Sequence, residues 1–314
     1  MHDGRHGGRD SGSPRRGGAG YTADVLGFSE SAFTLLRDLI AQRTGIHFGN
    51  DKRDLLADKL ADLLAALGMT SYLDYYYLLR YDADAERHWA ELTNRLSVPE
   101  TYFWRQPDQI LALANTVAPR HFERSPNTPL RIWSAACCTG EEPISIAIAL
   151  AESGLLHRRP IEIVGSDMSG VMLDRAQRGV YGERSFRSIS SDLRTRYFRR
   201  EENGWRVDPG VHGLIRWTQA NLVDPSAVRP LAVADVIFCR NVLIYFSDET
   251  IAHVVRLFGE GLHPDGYLFL GASESLTRLA TEFELAEVGG AFVYTRSAGS
   301  GEQGAARQPS RGWR

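Results

Sequence analysis

The sequence lacks any apolar run approaching the roughly 18–20 residues a membrane span requires, and its N-terminus has no secretory apolar core. Direct membrane insertion is not expected; a cytoplasmic location is. Cysteine is scarce: Cys137, Cys138 and Cys239 are too few and too badly spaced for a disulfide framework, and adjacent Cys137 and Cys138 are poorly placed to bond to each other. Net charge is small, −3 over 314 residues, so no global field draws the chain onto nucleic acid or an anionic surface. Nucleic acid is not an expected partner.

What is present falls into units. Residues 1–23 and 297–314 are rich in Gly, Arg and Ser with little to bury, and are expected to be disordered tails. Residues 24–95 carry helical periodicity. Ser29 can cap a helix with Phe33, Leu36 and Ile40, ending near Gly45. A second stripe holds Leu56, Leu60, Leu63, Leu64 and Leu67, and a third Tyr72, Leu73, Tyr76 and Leu79. Residues 96–127 are expected to be a linker and cofactor-lid segment. From 128 to 296 strands alternate with helices: strands at 130–135, 161–167, 234–239 and 267–270, helices at 143–150 and 169–178. That alternation predicts an α/β domain with a mostly parallel sheet. An antiparallel excursion turning at Asn203-Gly204 is expected within 182–216.

Four segments carry polar groups where a nucleoside ligand of such a sheet would bind. The loop Ala135–Gly140 follows the first strand and lacks the three glycines of G-x-G-x-x-G. Glu141 and Glu142 then open a helix, where they would repel a pyrophosphate, so NAD, FAD and ATP are disfavoured and a sulfonium-bearing nucleoside is favoured. Acidic residues also simply stabilise a helix start. Asp167 ends the second strand, where a carboxylate can accept ribose hydroxyls or cap a helix. Cys239-Arg240-Asn241 ends a buried strand with Tyr245 close behind; capping and core packing are the alternative roles. Glu100-Thr101-Tyr102-Phe103-Trp104-Arg105 joins the two units, its aromatics able to wall a sulfonium or to pack between domains.

Together these strings resemble the CheR family, the chemoreceptor glutamate O-methyltransferases. Ser134-Ala135-Ala136-Cys137-Cys138-Thr139-Gly140-Glu141-Glu142-Pro143 is similar to that family's S-A-x-x-S-T-G-E-E-P. Residues 239–246 are similar to its C-R-N-V-x-I-Y-F, with further echoes at Arg175-Ala176, Gly179-Val180-Tyr181, Pro264–Leu268 and Ser273-Glu274-Ser275. The resemblance implies a Rossmann-like class I methyltransferase sheet, an all-helical N-terminal domain and a small inserted β-subdomain. It implies S-adenosylmethionine as cofactor, S-adenosylhomocysteine as product and no metal. Thr101, Arg105 and Ala135 would approach the cofactor, Glu142 its amino-acid part, Asp167 the ribose, Asn221 and Leu222 the adenine. Arg240 and Asn241 would lie beside the methionine moiety. Arg105 and Tyr245 would stand at the transferred methyl.

The implied partner is the cytoplasmic domain of a chemoreceptor. Three departures bear on it. Val98-Pro99 stands where many members have Thr-Asn, removing one polar contact. The second helix mixes Lys52, Arg53 and Lys59 with Asp51, Asp54, Asp58 and Asp62, unlike the strongly basic helix of receptor-docking members. The hairpin at Asn203-Gly204 is short, so tethering to a receptor's C-terminal pentapeptide is not expected. Methylation of another protein, a small molecule or RNA, and a degenerate cofactor sensor, are the alternatives.

Overall fold

The structure is a computed structural model describing residues 28–279, 281–296 and Trp313; Trp313 apart, the expected tails lie outside the described residues. Helix α1 (Glu30–Thr44) begins at Ser29, whose hydroxyl accepts the Ala32 N–H at 3.2 Å, and ends at left-handed Gly45. Helix α2 (Arg53–Ala66) fully buries Leu56, Leu60 and Leu64, each worth roughly 1.5–3 kcal/mol. In α3 (Tyr72–Tyr81) the inward face is Tyr72, Tyr75 and Leu79, while Leu73 is exposed and Tyr76 only partly buried. The expected stripe is therefore out of phase by one residue at its middle. Helix α4 (Ala85–Leu96) is not anticipated from the sequence, its apolar positions being few among charges. It buries His88, Trp89, Leu92 and Leu96, and Trp89 Nε1 donates to the Leu79 carbonyl at 3.0 Å.

The expected linker is partly helical. Helix α5 (Pro107–Ala112) continues through a π-turn (Leu113–Val117) into α6 (Ala118–Arg124), burying Ile110, Leu113, Val117 and Phe122 against the sheet domain. Next come β1 (Leu130–Ala135), α7 (Glu141–Glu152), β2 (Ile161–Asp167) and α8 (Gly170–Arg178). The insertion holds β3 (Val180–Tyr181), α9 (Ser191–Tyr197), β4 (Phe198–Glu201) and β5 (Gly204–Val207), a small sheet ordered β3-β5-β4. The chain continues through α10 (Pro209–His212), β6 (Ile215–Gln219), α11 (Pro225–Ala232), β7 (Val236–Cys239), α12 (Asp248–Gly261) and β8 (Tyr267–Leu270), ending in the hairpin β9 (Phe283–Val288) and β10 (Ala291–Arg296).

The inserted sheet starts two residues before the expected boundary, and Ile215 already belongs to the main sheet. Its turn is also one residue earlier than expected. Glu201 pairs with Gly204, leaving Glu202-Asn203 as the loop. Gly204 opens β5 because a Cβ there would come within 2.6 Å of the Tyr181 carbonyl oxygen.

Among the described residues, the main sheet runs β6-β2-β1-β7-β8-β10-β9, parallel from β6 through β8 and antiparallel at β10. Alternation along its strands sends Ile132, Ile163 and Phe238 to one core and Trp133, Val164 and Ile237 to the other. The chain builds outward from β1 to β2 and β6, then crosses to β7. That switch point opens a cleft at the carboxyl ends of β1, β2 and β7. The helical domain closes one side. His47 N–H donates to the Tyr245 carbonyl at 2.8 Å, Asn221 Nδ2 to the Arg43 carbonyl at 2.7 Å, and Ser169 Oγ to Asn94 Oδ1 at 2.6 Å. Among the described residues no helix is long and apolar enough to cross a membrane.

Candidate active site

A cleft of about 1050 Å³ lies at these strand ends. Thr101, Arg105, Glu142, Asp167, Asn221, Leu222, Arg240, Asn241 and Tyr245 all line it. Ala135 does not. It is 1% exposed, with its strand paired on both sides by β2 and β7, so the wall at this point is made by Ala136, Cys137 and Cys138 instead.

The loop after β1 reaches the cleft through unusual backbone. Ala136 and Cys138 are left-handed at φ 57° and 52°, and Gly140 follows at φ 91°. A Cβ on Gly140 would lie 2.7 Å from the Trp217 ring, so both conformation and space demand glycine. Trp104, Gln106 and Asn241 are the other left-handed non-glycine residues among those described, at φ 63°, 53° and 61°. Trp104 and Gln106 flank the cleft-lining Arg105, while Asn241, like Ala136 and Cys138, lines the cleft itself. Each costs on the order of 1–3 kcal/mol unless its surroundings hold it, a pattern associated with functional sites.

The two carboxylates that open α7 part company. Glu141 is 2% exposed and faces the inserted subdomain, accepting from Thr139 Oγ1 at 2.6 Å and Ser185 Oγ at 2.9 Å. Burial pushes its carboxyl above the ordinary value. Glu142 faces the cleft, with Ser134 Oγ donating to Oε1 and Arg240 Nε to Oε2, both at 2.6 Å. Arg240 forms part of the wall, yet its side chain is only 1% exposed. Its Nη1 donates to the Arg105 carbonyl at 2.9 Å, Gln109 Oε1 at 3.1 Å and Gln106 Oε1 at 3.2 Å. Arg240 thus lines the cleft as expected while its guanidinium also holds Glu142.

Asp167 ties loop to helix: Oδ2 accepts the Cys138 N–H and Oδ1 the Ser169 N–H, both at 2.9 Å. Ser169, and not Asp167, caps α8. Burial raises the Asp167 carboxyl above its ordinary value, against those backbone hydrogen bonds. A carboxylate has about four acceptor sites, so these backbone donors leave capacity for a ligand hydroxyl. Burial likewise pushes the cleft-lining Cys138 thiol up to about 12. Leu222 is buried, and Met168 and Met172 add further apolar lining to the cleft. Asn221 also borders the cleft, but its amide is held by Arg43, latching the two domains.

Of the three aromatics in the linker, Tyr102 alone lines the cleft. Phe103 is fully buried against Tyr181 and Phe198, ring centroids 4.8 and 4.7 Å away. Arg105 lies over Tyr102 and donates from Nη1 to the Glu100 carbonyl at 2.5 Å. Tyr245, in the turn after β7, lines the same mouth. Val98, half exposed, also lines it. Among the lining residues no histidine is present.

Residues 31–97 match the family described as CheR methyltransferase, all-alpha domain, and residues 99–291 match CheR methyltransferase, SAM binding domain. The chain belongs to the CheR methyltransferase family. The CheR family's relatives span nearly all of the described residues. Chemotaxis protein methyltransferase 2 of Vibrio cholerae is 36% identical over 259 residues, covering 82% of this chain and 90% of that protein. The chemotaxis protein methyltransferase of Escherichia coli is 34% identical over 270 residues, with coverages of 83% and 90%. The CheR match also makes the α/β unit a class I methyltransferase fold and the protein an S-adenosylmethionine-dependent methyltransferase.

Two residues that shape this CheR site were not singled out for it from the sequence. Gln109 donates from Nε2 to the Leu270 carbonyl at 2.8 Å while accepting from Arg240. Glu274 grips the backbone after β7. Gln109 carries no local signal; Glu274 stood inside a recognised string, with no role attached.

Proposed function

We propose that the protein transfers a methyl group from S-adenosylmethionine to glutamate side chains in the cytoplasmic domain of a chemoreceptor, leaving a glutamate methyl ester and S-adenosylhomocysteine. The observation that carries this reading is one cleft holding two carboxylates, Glu142 and Asp167, beside a mouth formed by Thr101, Tyr102, Arg105 and Tyr245. That donor set suits a nucleoside bearing an amino acid and a sulfonium. Glu142 would receive the ammonium, Asp167 the ribose hydroxyls, and Leu222, Met168 and Met172 the adenine.

Bound S-adenosylmethionine supplies a methyl group on positively charged sulfur. A glutamate side chain, with an ordinary pKa near 4.3, already carries the attacking charge at neutral pH. The O–CH₃ bond forms as the S–CH₃ bond breaks, and no proton moves. Neither a general base nor a metal is needed, which fits a mouth without histidine. The protein's task is alignment, a source of roughly 7–11 kcal/mol in well-oriented reactions. Arg105 would orient the acceptor carboxylate, and Tyr102 and Tyr245 would present ring faces to the cationic centre. The two-residue β4–β5 turn favours docking without a pentapeptide tether.

The test is transfer of labelled methyl to membranes carrying chemoreceptors, followed by base treatment. Base-labile label on the receptor is expected. A base-stable product would exclude the ester, and tight S-adenosylhomocysteine binding without transfer would favour a sensor.

A further inference from the structure

One carboxylate beside the cleft takes no part in the chemistry above. Glu274 follows β8 and does not line the cleft. Its Oε1 accepts the N–H groups of Val242 and Leu243 at 2.9 and 2.8 Å. Its Oε2 accepts those of Asn241 and Gly271 at 2.8 and 2.6 Å. Four backbone donors thus converge on one side chain, three of them consecutive.

Those three residues need such a partner. Strand β7 ends at Cys239, so Asn241, Val242 and Leu243 have left the ladder that would otherwise satisfy them. Asn241 is also left-handed at φ 61°, a conformation asparagine tolerates better than most residues, so the chain turns sharply at this point. The same segment delivers Asn241, Val242, Tyr245 and Phe246 to the cleft. Four hydrogen bonds to one carboxylate group make Glu274 a strong restraint on this stretch.

We propose that Glu274 is a positioning residue for methyl transfer, clamping the backbone of Asn241–Leu243 so that Asn241 stands beside the methionine moiety and Tyr245 at the reacting methyl; this rests on the S-adenosylmethionine reading of the cleft. Glu274→Gln is the sharpest perturbation, being equal in shape. Whichever way its amide turns, two N–H donors face an NH₂ group instead of an oxygen.

Calorimetric titration with S-adenosylhomocysteine counts competent sites, and methyl transfer to receptor-bearing membranes is then expressed per competent site. That normalisation removes a loss caused by misfolded protein alone. The expected result is a fall of roughly 10- to 100-fold in kcat per site for Glu274→Gln. A fall smaller than about fivefold overturns the proposal, whatever happens to the melting temperature. If Glu274→Gln does not fold, Gly271→Ala decides by the same threshold. A Cβ there would sit 2.7 Å from both Asn241 Nδ2 and Glu274 Oε2, displacing the clamp with its carboxylate intact. Wild-type protein that binds no S-adenosylhomocysteine overturns the cofactor reading and this proposal together; normal wild-type binding and transfer with an unaffected variant overturns this proposal alone.

Discussion

Replacing Arg240 by methionine probes a deeply buried charge in the wall of the cleft. The guanidinium is 1% exposed and its partner carboxylate on Glu142 13% exposed. Arg240→Met removes the 2.6 Å bond to Glu142 and the bonds to the Arg105 carbonyl, Gln106 and Gln109. Glu142 keeps only the Ser134 hydroxyl among these partners. Stranding one member of a buried pair costs about 3–5 kcal/mol, a large share of the roughly 5–15 kcal/mol that holds a typical protein folded. At about 2–4 °C per kcal/mol, the melting temperature should fall by roughly 6–20 °C in scanning calorimetry. Arg240→Lys keeps the charge but loses the planar fork, so it should fall in between. The double variant Arg240→Met/Glu142→Gln no longer buries an unpaired anion, and should recover more than about 1 kcal/mol relative to additive losses. A drop below about 2 °C for Arg240→Met, or strict additivity in the double variant, would refute the reasoning.

Three further outcomes follow from the same geometry. Burial raises the Asp167 carboxyl, so its protonation on acidification should begin above the ordinary Asp range and weaken S-adenosylhomocysteine binding measured by calorimetry. The sign for stability is opposite: a raised carboxyl favours the fold increasingly as pH drops toward its unfolded value, so binding should be lost without loss of this group's contribution to stability. Asp167→Asn should lower neutral-pH affinity and flatten that acid limb, and an unchanged limb would count against the assignment. Arg105→Ala should reduce methyl transfer far more than cofactor affinity; equal losses in stopped-flow transfer and calorimetric binding would sink its role at the acceptor. With Cys138 pushed up to about 12 and Cys137 and Cys239 raised by burial, all three thiols should resist a disulfide reagent at pH 8 until the protein unfolds, and rapid native labelling would contradict that protonation state.

The sequence strings at 134–143 and 239–246 made most of the site readable because they sit at strand ends, where order along the chain predicts position in space. The misplacements share a cause. Ala135 stands in the sequence both as the last residue of a strand and the first of the loop; it completes β1, and strand pairing on both sides turns it inward. Adjacent Glu141 and Glu142 are indistinguishable as letters, yet a helix rotates neighbours by about 100°, sending one to Ser185 and the other to Arg240. Asn221 and Arg240 were read for their chemistry toward a ligand; their partners, Arg43 and Glu142, come from distant segments.

By itself the sequence determined what local patterning controls. It set the α/β alternation, the Ser29 and Gly45 caps, the glycine at 140 and the family. Periodicity and turn chemistry act over a few residues, so they survive without knowledge of the fold. Tertiary structure alone decided which polar groups remain open to a ligand and which are held. The Arg240–Glu142 pair spans about a hundred positions of chain. Glu274 reaches back more than thirty positions to grip Asn241, whose left-handed backbone is one that asparagine tolerates better than most residues. Such contacts exist only once the sheet has closed, because the sheet brings the strand ends together.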